Sequence, residues 1–378
     1  MGIVNLFADL TYEGGGSING AFLGMLGAGA VAVSIVAGVG EFLGYALRVV
    51  SGYFADKTGR HWPLTFVGYT INLLAVPAMA FAGRWQVAAA LVLAERIGRA
   101  LRKPTVEAML SYTTGRHGKG WVYAVNTALD EIGATVGPLV VAGVLFLNGG
   151  YRVAYAVLLI PALLALLSLS TARLRFPLPA RLEEGQTTSA KNFTLSYWLF
   201  MAAGACFAAG LMSYELLSFH LTATKIATAI GAPVLLAFAT GSGVVASLLM
   251  GRGYDRFGLP VVLIAVALSA LFTPLLFAGS LAMAIAAMPL LGIGYAVQDT
   301  LLKAIVAGVL PHGRRHLAFG LFYSGYGCGW LLGSVAMGLL YVRSAVAVQL
   351  VAVLAQLASL PLFIIAEHCK GGRRSLTQ

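Results

Sequence analysis

Charge is scarce in this chain. Asp, Glu, Lys and Arg make up 10% of its 378 residues, where soluble domains carry about 25%. No soluble fold of this length has enough interior to hide the remaining apolar surface, so the bilayer is its natural solvent. Cysteine is nearly absent. Cys206, Cys328 and Cys369 form no CxxC pair and no Cys/His cluster, which removes a disulfide framework and a metal site from consideration. There is no GxSxG elbow, HExxH helix or Walker loop, so nothing points to an enzyme, to ATP or to any cofactor. The first residues carry neither a basic stretch nor a cleavage site, so no removable signal peptide is expected.

What the chain does have is apolar length: 59% of its residues are hydrophobic. Runs long enough to span a bilayer occur at 2–26, 29–54, 63–82, 86–103, 121–147 and 150–172, then at 194–220, 226–250, 259–279, 281–307, 318–342 and 345–367. They predict an all-α membrane protein of twelve transmembrane helices. In the first run, Asp9, Glu13 and the triple glycine Gly14–Gly16 interrupt the apolar pattern, and a re-entrant or partly unwound segment stands as the alternative there. Pro77, Pro138, Pro161, Pro233, Pro274, Pro289 and Pro361 fall inside other runs, where bundled membrane helices tolerate and kink around them. The longest polar stretch, Arg173 to Lys191, sits mid-chain. It divides the protein into a bundle at 1–173, a linker at 174–193, a second bundle at 194–368 and a tail at 369–378.

The net charge is +11. Nucleic acid is not the expected partner, because the basic residues are spread over short loops between apolar runs. They gather after even-numbered helices, at Lys57, Arg60, Arg102, Lys103, Arg116, Lys119, Arg252, Arg256, Arg314 and Arg315, and again in the linker and tail. The opposite loops hold only Arg84, Arg152, Lys225 and Arg343. By the positive-inside rule, both termini and the linker face the cytoplasm, in a multi-pass protein of the cytoplasmic (inner) cell membrane.

The two halves repeat one another. Gly52, Asp56 and Gly59 after the second run match Gly251, Asp255 and Gly258 after the eighth, both reading G-x3-D-x2-G. Residues 100–111 align with 296–307 at nearly the same offset, and Gly133-x3-Gly137 aligns with Gly329-x3-Gly333. Duplication of this kind predicts two pseudo-symmetric six-helix bundles with a solute site near the membrane midplane.

These motifs resemble those of the major facilitator superfamily. Its cytoplasmic motif G-x3-D-(R/K)-x-G-(R/K) is matched by Gly52, Asp56, Lys57, Gly59 and Arg60. Gly133, Gly137 and Pro138 resemble the fifth-helix motif of its exporters, although Val141 and Ala142 stand where a glycine pair is usual. Arg96 resembles the fourth-helix arginine, with Arg99 in place of the usual glutamine. Asp9, Glu13 and Asp130 are similar to acids of an efflux-type bacterial branch. The resemblance covers essentially the whole chain. It implies the two-bundle fold and secondary transport, with Gly133, Gly137 and Pro138 governing leak and direction, and it leaves the substrate open.

Ionisable groups inside the runs are the sharper guide, because each costs about 2.5–3.5 kcal/mol on insertion scales and so marks a pathway or a buried pair. Asp9 and Glu13 are spaced i,i+4 on one face, which suits a proton relay; a solvated Asp9 at the cytoplasmic edge is the alternative. Asp130 and Glu131 are adjacent, so at most one faces a central cavity. Asp130 is the pathway candidate, and an interhelix partner is the reading for Glu131. Arg96 and Arg99, a turn apart, can hold a carboxylate or an anionic solute, while Glu95 reads as a local or interhelix pair. Glu41 and Glu215 are isolated acids in apolar runs. His220 reads as a solvated residue at a helix end. Gln298, Asp299 and Lys303 form a third set, in which Asp299 and Lys303 either serve the cavity or satisfy one another at i,i+4. Arg48 joins the gate network of Gly52, Asp56, Gly59, Arg60, Gly251, Asp255 and Gly258. Close helix packing suffices to explain Gly133 and Gly137.

The expected function is proton-coupled export of a small amphipathic solute by alternating access, in a lipid-embedded monomer. Two alternatives remain: proton symport of an organic anion bound by Arg96, Arg99 and Lys303, and a non-transporting receptor.

Overall fold

The computed structural model describes residues 1–58, 61–117, 119–175, 194–307 and 315–371. The described residues are helical apart from short connections, with no strand among them. The first helix, α1 (Gly2–Met25), is continuous, so the re-entrant alternative falls away. Its glycines carry no backbone break because they serve close approach. A Cβ at Gly14 would lie 3.1 Å from the Gly137 carbonyl oxygen, and one at Gly15 only 2.7 Å from a Val76 methyl.

Next come α2 (Ala30–Thr58), α3 (His61–Ala78), α4 (Trp85–His117) and α5 (Lys119–Phe146). The fourth apolar run ends at residue 103 by composition, but α4 continues to His117. The charges of Arg102 and Lys103 do not end the helix, because partners from other helices receive Arg102. The sixth run is two segments, α6 (Gly150–Val157) and α7 (Leu159–Arg175). The break falls one turn before Pro161, which has no N–H to offer the carbonyl of Val157.

In the second half, the run expected at 194–220 is split into α8 (Leu195–Gly210) and α9 (Tyr214–Ala223). No proline causes this break. Gly210 lies hard against the last helix of the chain, and the Gln356 side-chain amide donates to the Gly210 carbonyl at 3.0 Å, satisfying an acceptor at the interruption. The chain continues through α10 (Gly231–Phe257), α11 (Leu259–Ala270) and α12 (Phe272–Leu276). The α11–α12 break again lies one turn before a proline, Pro274. A π-helical stretch, Val297–Leu301, joins α13 (Leu281–Ala296) to α14 (Leu302–Ala307). The last two helices are α15 (Arg315–Tyr341) and α16 (Ala345–Gly371).

Nine spans among the described residues are long and apolar enough to cross a membrane. Helices α1, α4 and α15 are not among them; α1 and α4 carry the polar groups of the site below.

The repeat has a structural counterpart. In the first half, Gly133 and Gly137 of α5 lie against the backbone of α1, where a Cβ on Gly137 would be 2.8 Å from the Gly14 nitrogen. In the second half, Gly329 and Gly333 of α15 lie the same way against α8, where a Cβ would meet the carbonyl carbons of Ala205 at 2.7 Å and Ala209 at 2.5 Å. Gly258 also has a backbone reason. It enters α11 at φ +70°, a left-handed conformation that glycine adopts at little cost.

By contacts the chain forms two units. One contains Met1–Gly29, Leu43–Gly185 and Tyr214–Ala237; the other contains Ala30–Phe42, Gln186–Ser213 and Phe238–Gln378. Each unit therefore includes a segment from the opposite half of the sequence.

Candidate functional site

The polar residues of the first unit converge from five helices. Close packing of α3 on α4 sets the frame. A Cβ at Gly98 would lie 2.7 Å from the Gly68 carbonyl oxygen, and one at Gly68 2.8 Å from the Arg102 nitrogen. That approach brings Asn72 of α3 against Glu95 of α4.

Glu95 is the hub. It is 3% exposed. Its Oε1 accepts from Asn72 Nδ2 at 2.8 Å and from Arg99 Nε and NH2 at 3.0 and 2.7 Å. Its Oε2 lies 3.4 Å from Arg96 Nε. Arg96 then reaches across to α9, where its NH2 donates to Glu215 Oε1 at 2.9 Å. The result is an alternating chain, Arg99–Glu95–Arg96–Glu215, in which each inner member is shared between two opposite charges. Charge-assisted bonds of this kind are the strong class. The Arg99 guanidinium is further covered by the Tyr12 ring at 3.8 Å, a cation–π contact.

One turn along α4, Arg102 is 3% exposed. It lies 3.8 Å from Asp9 Oδ1 and 4.5 Å over the Tyr69 ring. It is therefore a buried member of the site and not part of a basic loop. Asp9 is buried as well, not solvated at an edge.

A directed hydrogen-bond chain ends at the third acid. Tyr69 O–H donates to Asn5 Oδ1 at 2.6 Å, Asn5 Nδ2 to Asn126 Oδ1 at 3.0 Å, and Asn126 Nδ2 to Asp130 Oδ2 at 3.2 Å. Among the described residues, the second oxygen of Asp130 is buried with no hydrogen-bond partner. Glu13, half-buried one turn along α1 from Asp9, has no ion pair among the described residues.

The structure thus brings together Asp9, Glu13, Arg96, Arg99, Asp130 and Glu215. Glu215 is not isolated, and the same contact accounts for its burial at 5% exposed. His220 is buried at 6%, which overturns its reading as a solvated residue. Besides Arg102, assigned to a basic loop, and Glu95, read only as one of a pair, five participants were missed by sequence reasoning as members of the site: Asn5, Tyr12, Tyr69, Asn72 and Asn126. A search for polar residues on the same faces as Asp9 and Glu95 would have found some of them.

The remaining candidates lie elsewhere. Glu41 is half-buried in the part of α2 that belongs to the other unit. In that unit Gln298 accepts from Tyr326 O–H at 3.0 Å. Asp299 and Lys303 pair with each other at 3.5 Å with both side chains about half exposed. Of the gate residues, Arg48 lies 4.7 Å over the Tyr45 ring, Asp255 is exposed, and Gly251 would place a Cβ 3.4 Å from a Thr300 methyl. The side chain of Asp56 and the surroundings of Gly52 lie outside the described residues, as do Gly59, Arg60 and most of the linker. Pro138 is buried within α5 beside Gly137.

A helical membrane chain with internal duplication and a buried ionic network has the architecture of a secondary transporter, and comparisons with known proteins agree. The family model for the Major Facilitator Superfamily matches residues 2–259 and 193–375. The chain belongs to the major facilitator superfamily. An uncharacterised protein of Mycobacterium tuberculosis is 36% identical over 90% of this chain and 85% of its own. An uncharacterised MFS-type transporter of Methanocaldococcus jannaschii is 24% identical over 90% of this chain and 87% of its own. Among solved structures, a mutant of the nucleoside transporter NupG superposes with a TM-score of 0.78 at 14% identity, covering 97% of this chain and 98% of its own. A mutant of the peptide transporter POT gives 0.77 at 14%, covering 97% and 93%. At these identities the two structures speak to the fold alone. Membrane transport is the class of activity this family membership supports.

Proposed function

We propose that this protein is a proton-coupled antiporter that exports a small amphipathic compound across the cytoplasmic membrane by alternating access. One observation carries the coupling. Among the described residues of the first-unit network, five carboxylates (Asp9, Glu13, Glu95, Asp130 and Glu215) share three guanidiniums, and Glu13 and Asp130 are left without an ion pair. A carboxylate shielded from bulk water with no countercharge is stabilised by binding a proton. Lys103, half-buried next to Arg102, adds a fourth cation at longer range that acts on Asp9 and Asp130. Arg99 and Arg96 act on Glu13 in the same long-range way, so Glu13 and Asp130 stand together as the candidates for the carrier. Filling such a site changes the internal charge by one unit, which shifts the balance between two helix arrangements.

In this reading the bundles 1–173 and 194–368 rock about the solute, the linker 174–193 and both termini lie in the cytoplasm, and the protein works as a monomer in lipid. The fifth-helix set Gly133, Gly137 and Pro138 favours export. The anion-uptake alternative is less well supported, because Arg96 and Arg99 are already engaged by Glu95 and Glu215, and Lys303 by Asp299.

The test is flux of fluorescent amphiphilic cations and neutral amphiphiles in proteoliposomes with an imposed pH gradient. The gradient should accelerate flux in the native protein, and a protonophore should remove the acceleration. Glu13→Gln is expected to bring gradient-driven flux down to that of empty liposomes while thermal-shift binding of the same probe persists. Native flux that ignores the gradient would sink the coupling.

A further inference from the structure

The connections on the side opposite the basic loops carry charge of one sign only. They fall at 26–30, 79–86, 146–152, 221–231, 277–281 and 341–345, and they contain Arg84, Arg152, Lys225 and Arg343 but no Asp or Glu. Nothing in these segments can balance the cations. The fold of the first unit brings two of them together. Arg152, in the first turn of α6, donates from its NH2 to the Ala82 carbonyl at 3.4 Å. Ala82 is two residues from Arg84, a chain length of at most about 7 Å. Both arginines are exposed, and neither has an ion pair among the described residues. The Ala82 bond positions Arg152 but leaves its charge uncompensated. Two guanidiniums held this close repel one another unless an anion from outside the chain joins them.

The surroundings select the anion. One spanning segment ends at Phe81, another ends at Phe146, and a third begins at Gly150. Arg84 and Arg152 therefore stand within three residues of a span limit, at the depth of lipid headgroups. Phe81, which closes the short turn Met79–Phe81, is 90% exposed. Phe146 and Leu147, on the turn that leads into α6, are 73% and 78% exposed. Acyl chains suit these side chains and water does not. A soluble anion would satisfy the arginines and leave the phenylalanines bare. A phospholipid covers both, because its phosphate matches the planar donor fork of arginine. A headgroup with its own ammonium would bring a third cation to a place without an acid, so the fit is to a lipid of net negative charge.

We propose that Arg84 and Arg152 form a binding site for the phosphate of an anionic phospholipid, in the leaflet opposite the basic loops, with Phe81 against its acyl chains. The bound lipid ties the start of α4 to the start of α6 and supplies the negative charge that this side of the chain lacks. The site is separate from the ionic network. Its test needs neither solute nor pH gradient, so it stands or falls independently of the transport reading.

The experiment titrates purified full-length protein in neutral detergent with phosphatidylglycerol, phosphatidylcholine or glycerol 3-phosphate, and reads retained lipid by native mass spectrometry. The native protein should bind phosphatidylglycerol tightest. Near a membrane surface each arginine is worth about fivefold in affinity for anionic lipid, and the pair about thirtyfold. Arg84→Gln/Arg152→Gln should lose that much and retain one phosphatidylglycerol fewer, and each single variant should lose about fivefold. Arg84→Lys/Arg152→Lys keeps the charge and should recover most of the binding. Lipid held at the basic loops is common to every variant and cancels in the difference. Both side chains are exposed, so the lipid-free thermal midpoint should not move. Equal affinity for phosphatidylcholine overturns the site, as does an equal response to glycerol 3-phosphate, which would mark a soluble anion as the occupant. Unchanged phosphatidylglycerol retention in the single and double glutamine variants overturns it as well.

Discussion

Replacing Glu215 with alanine is expected to destabilise the folded protein by about 3 kcal/mol or more, the low end of the cost of orphaning one member of a buried ion pair. The pair is deeply placed: the side chains of Arg96 and Glu215 are 11% and 6% exposed, and the bond is 2.9 Å. Arginine stays charged at all accessible pH, so Arg96 cannot relieve the loss by neutralising. It keeps Glu95 at 3.4 Å, but Glu95 already serves Arg99 and Asn72, which places the effect at the low end and not at zero. The backbone contact is separate: Gly20 of α1 lies directly against the Glu215 carbonyl and the Ser218 hydroxyl, which the substitution leaves in place. Helix α9 is thus held to α1 by backbone contact and to α4 by charge. Thermal unfolding of the purified protein in detergent measures the loss. Arg96→Met on its own should also destabilise, and the double variant should cost clearly less than the sum of the singles. Strict additivity would mean that the pair contributes nothing to holding α9 in place.

The long elements were legible in the sequence because spanning runs are set by composition alone. Each of the twelve apolar runs contains a helix or a pair of helical segments within a few residues of its limits, except at α10, which runs from Gly231 to Phe257 where 226–250 was expected, and at α4. There the reading stopped at Lys103 because charge marks the end of a span, and only the fold reveals that Asp9, Tyr12 and Tyr69 receive Arg102. Glu215 shows the same limit. Its partner lies 119 positions away in the chain, so no local pattern distinguishes a paired acid from an isolated one. Pairs on a single helix were readable: Glu95 with Arg99, and Asp299 with Lys303, are both i,i+4. Helix breaks divide likewise. Those before Pro161 and Pro274 follow from a missing N–H, whereas the break after Gly210 depends on Gln356 of a distant helix. The repeat was the strongest non-local signal, because duplication carries contact geometry with it. Gly133 and Gly137 on α1 are echoed by Gly329 and Gly333 on α8.

That geometry sets up the second large effect, at Gly137. A Cβ there would fall 2.8 Å from the Gly14 nitrogen and 3.1 Å from the Leu10 carbonyl carbon. These neighbours are backbone atoms, which cannot rotate aside as a side-chain end can, so α1 and α5 must separate. Overpacking of this kind costs about 1–3 kcal/mol and sometimes more. Against it stands the gain from replacing a helical glycine with alanine, about 1 kcal/mol in soluble helices. Gly137→Ala is therefore expected to lower stability by up to about 2 kcal/mol net, and a larger Gly137→Leu to prevent assembly of the first unit. Gly143, six residues on in α5, separates the two terms: it is exposed and a Cβ there would meet nothing within 4 Å. Gly143→Ala should be neutral or raise stability by up to about 1 kcal/mol. The opposite signs matter more than either magnitude. If thermal unfolding placed both alanine variants on the same side of the native protein, glycine's role in α5 would be a matter of helix propensity and not of contact with α1. If the signs divide as expected, separation of α1 from α5 becomes the step that Gly137 prevents. Asp9 and Asp130, which those two helices carry on either side of that contact, would then depend on it for their placement.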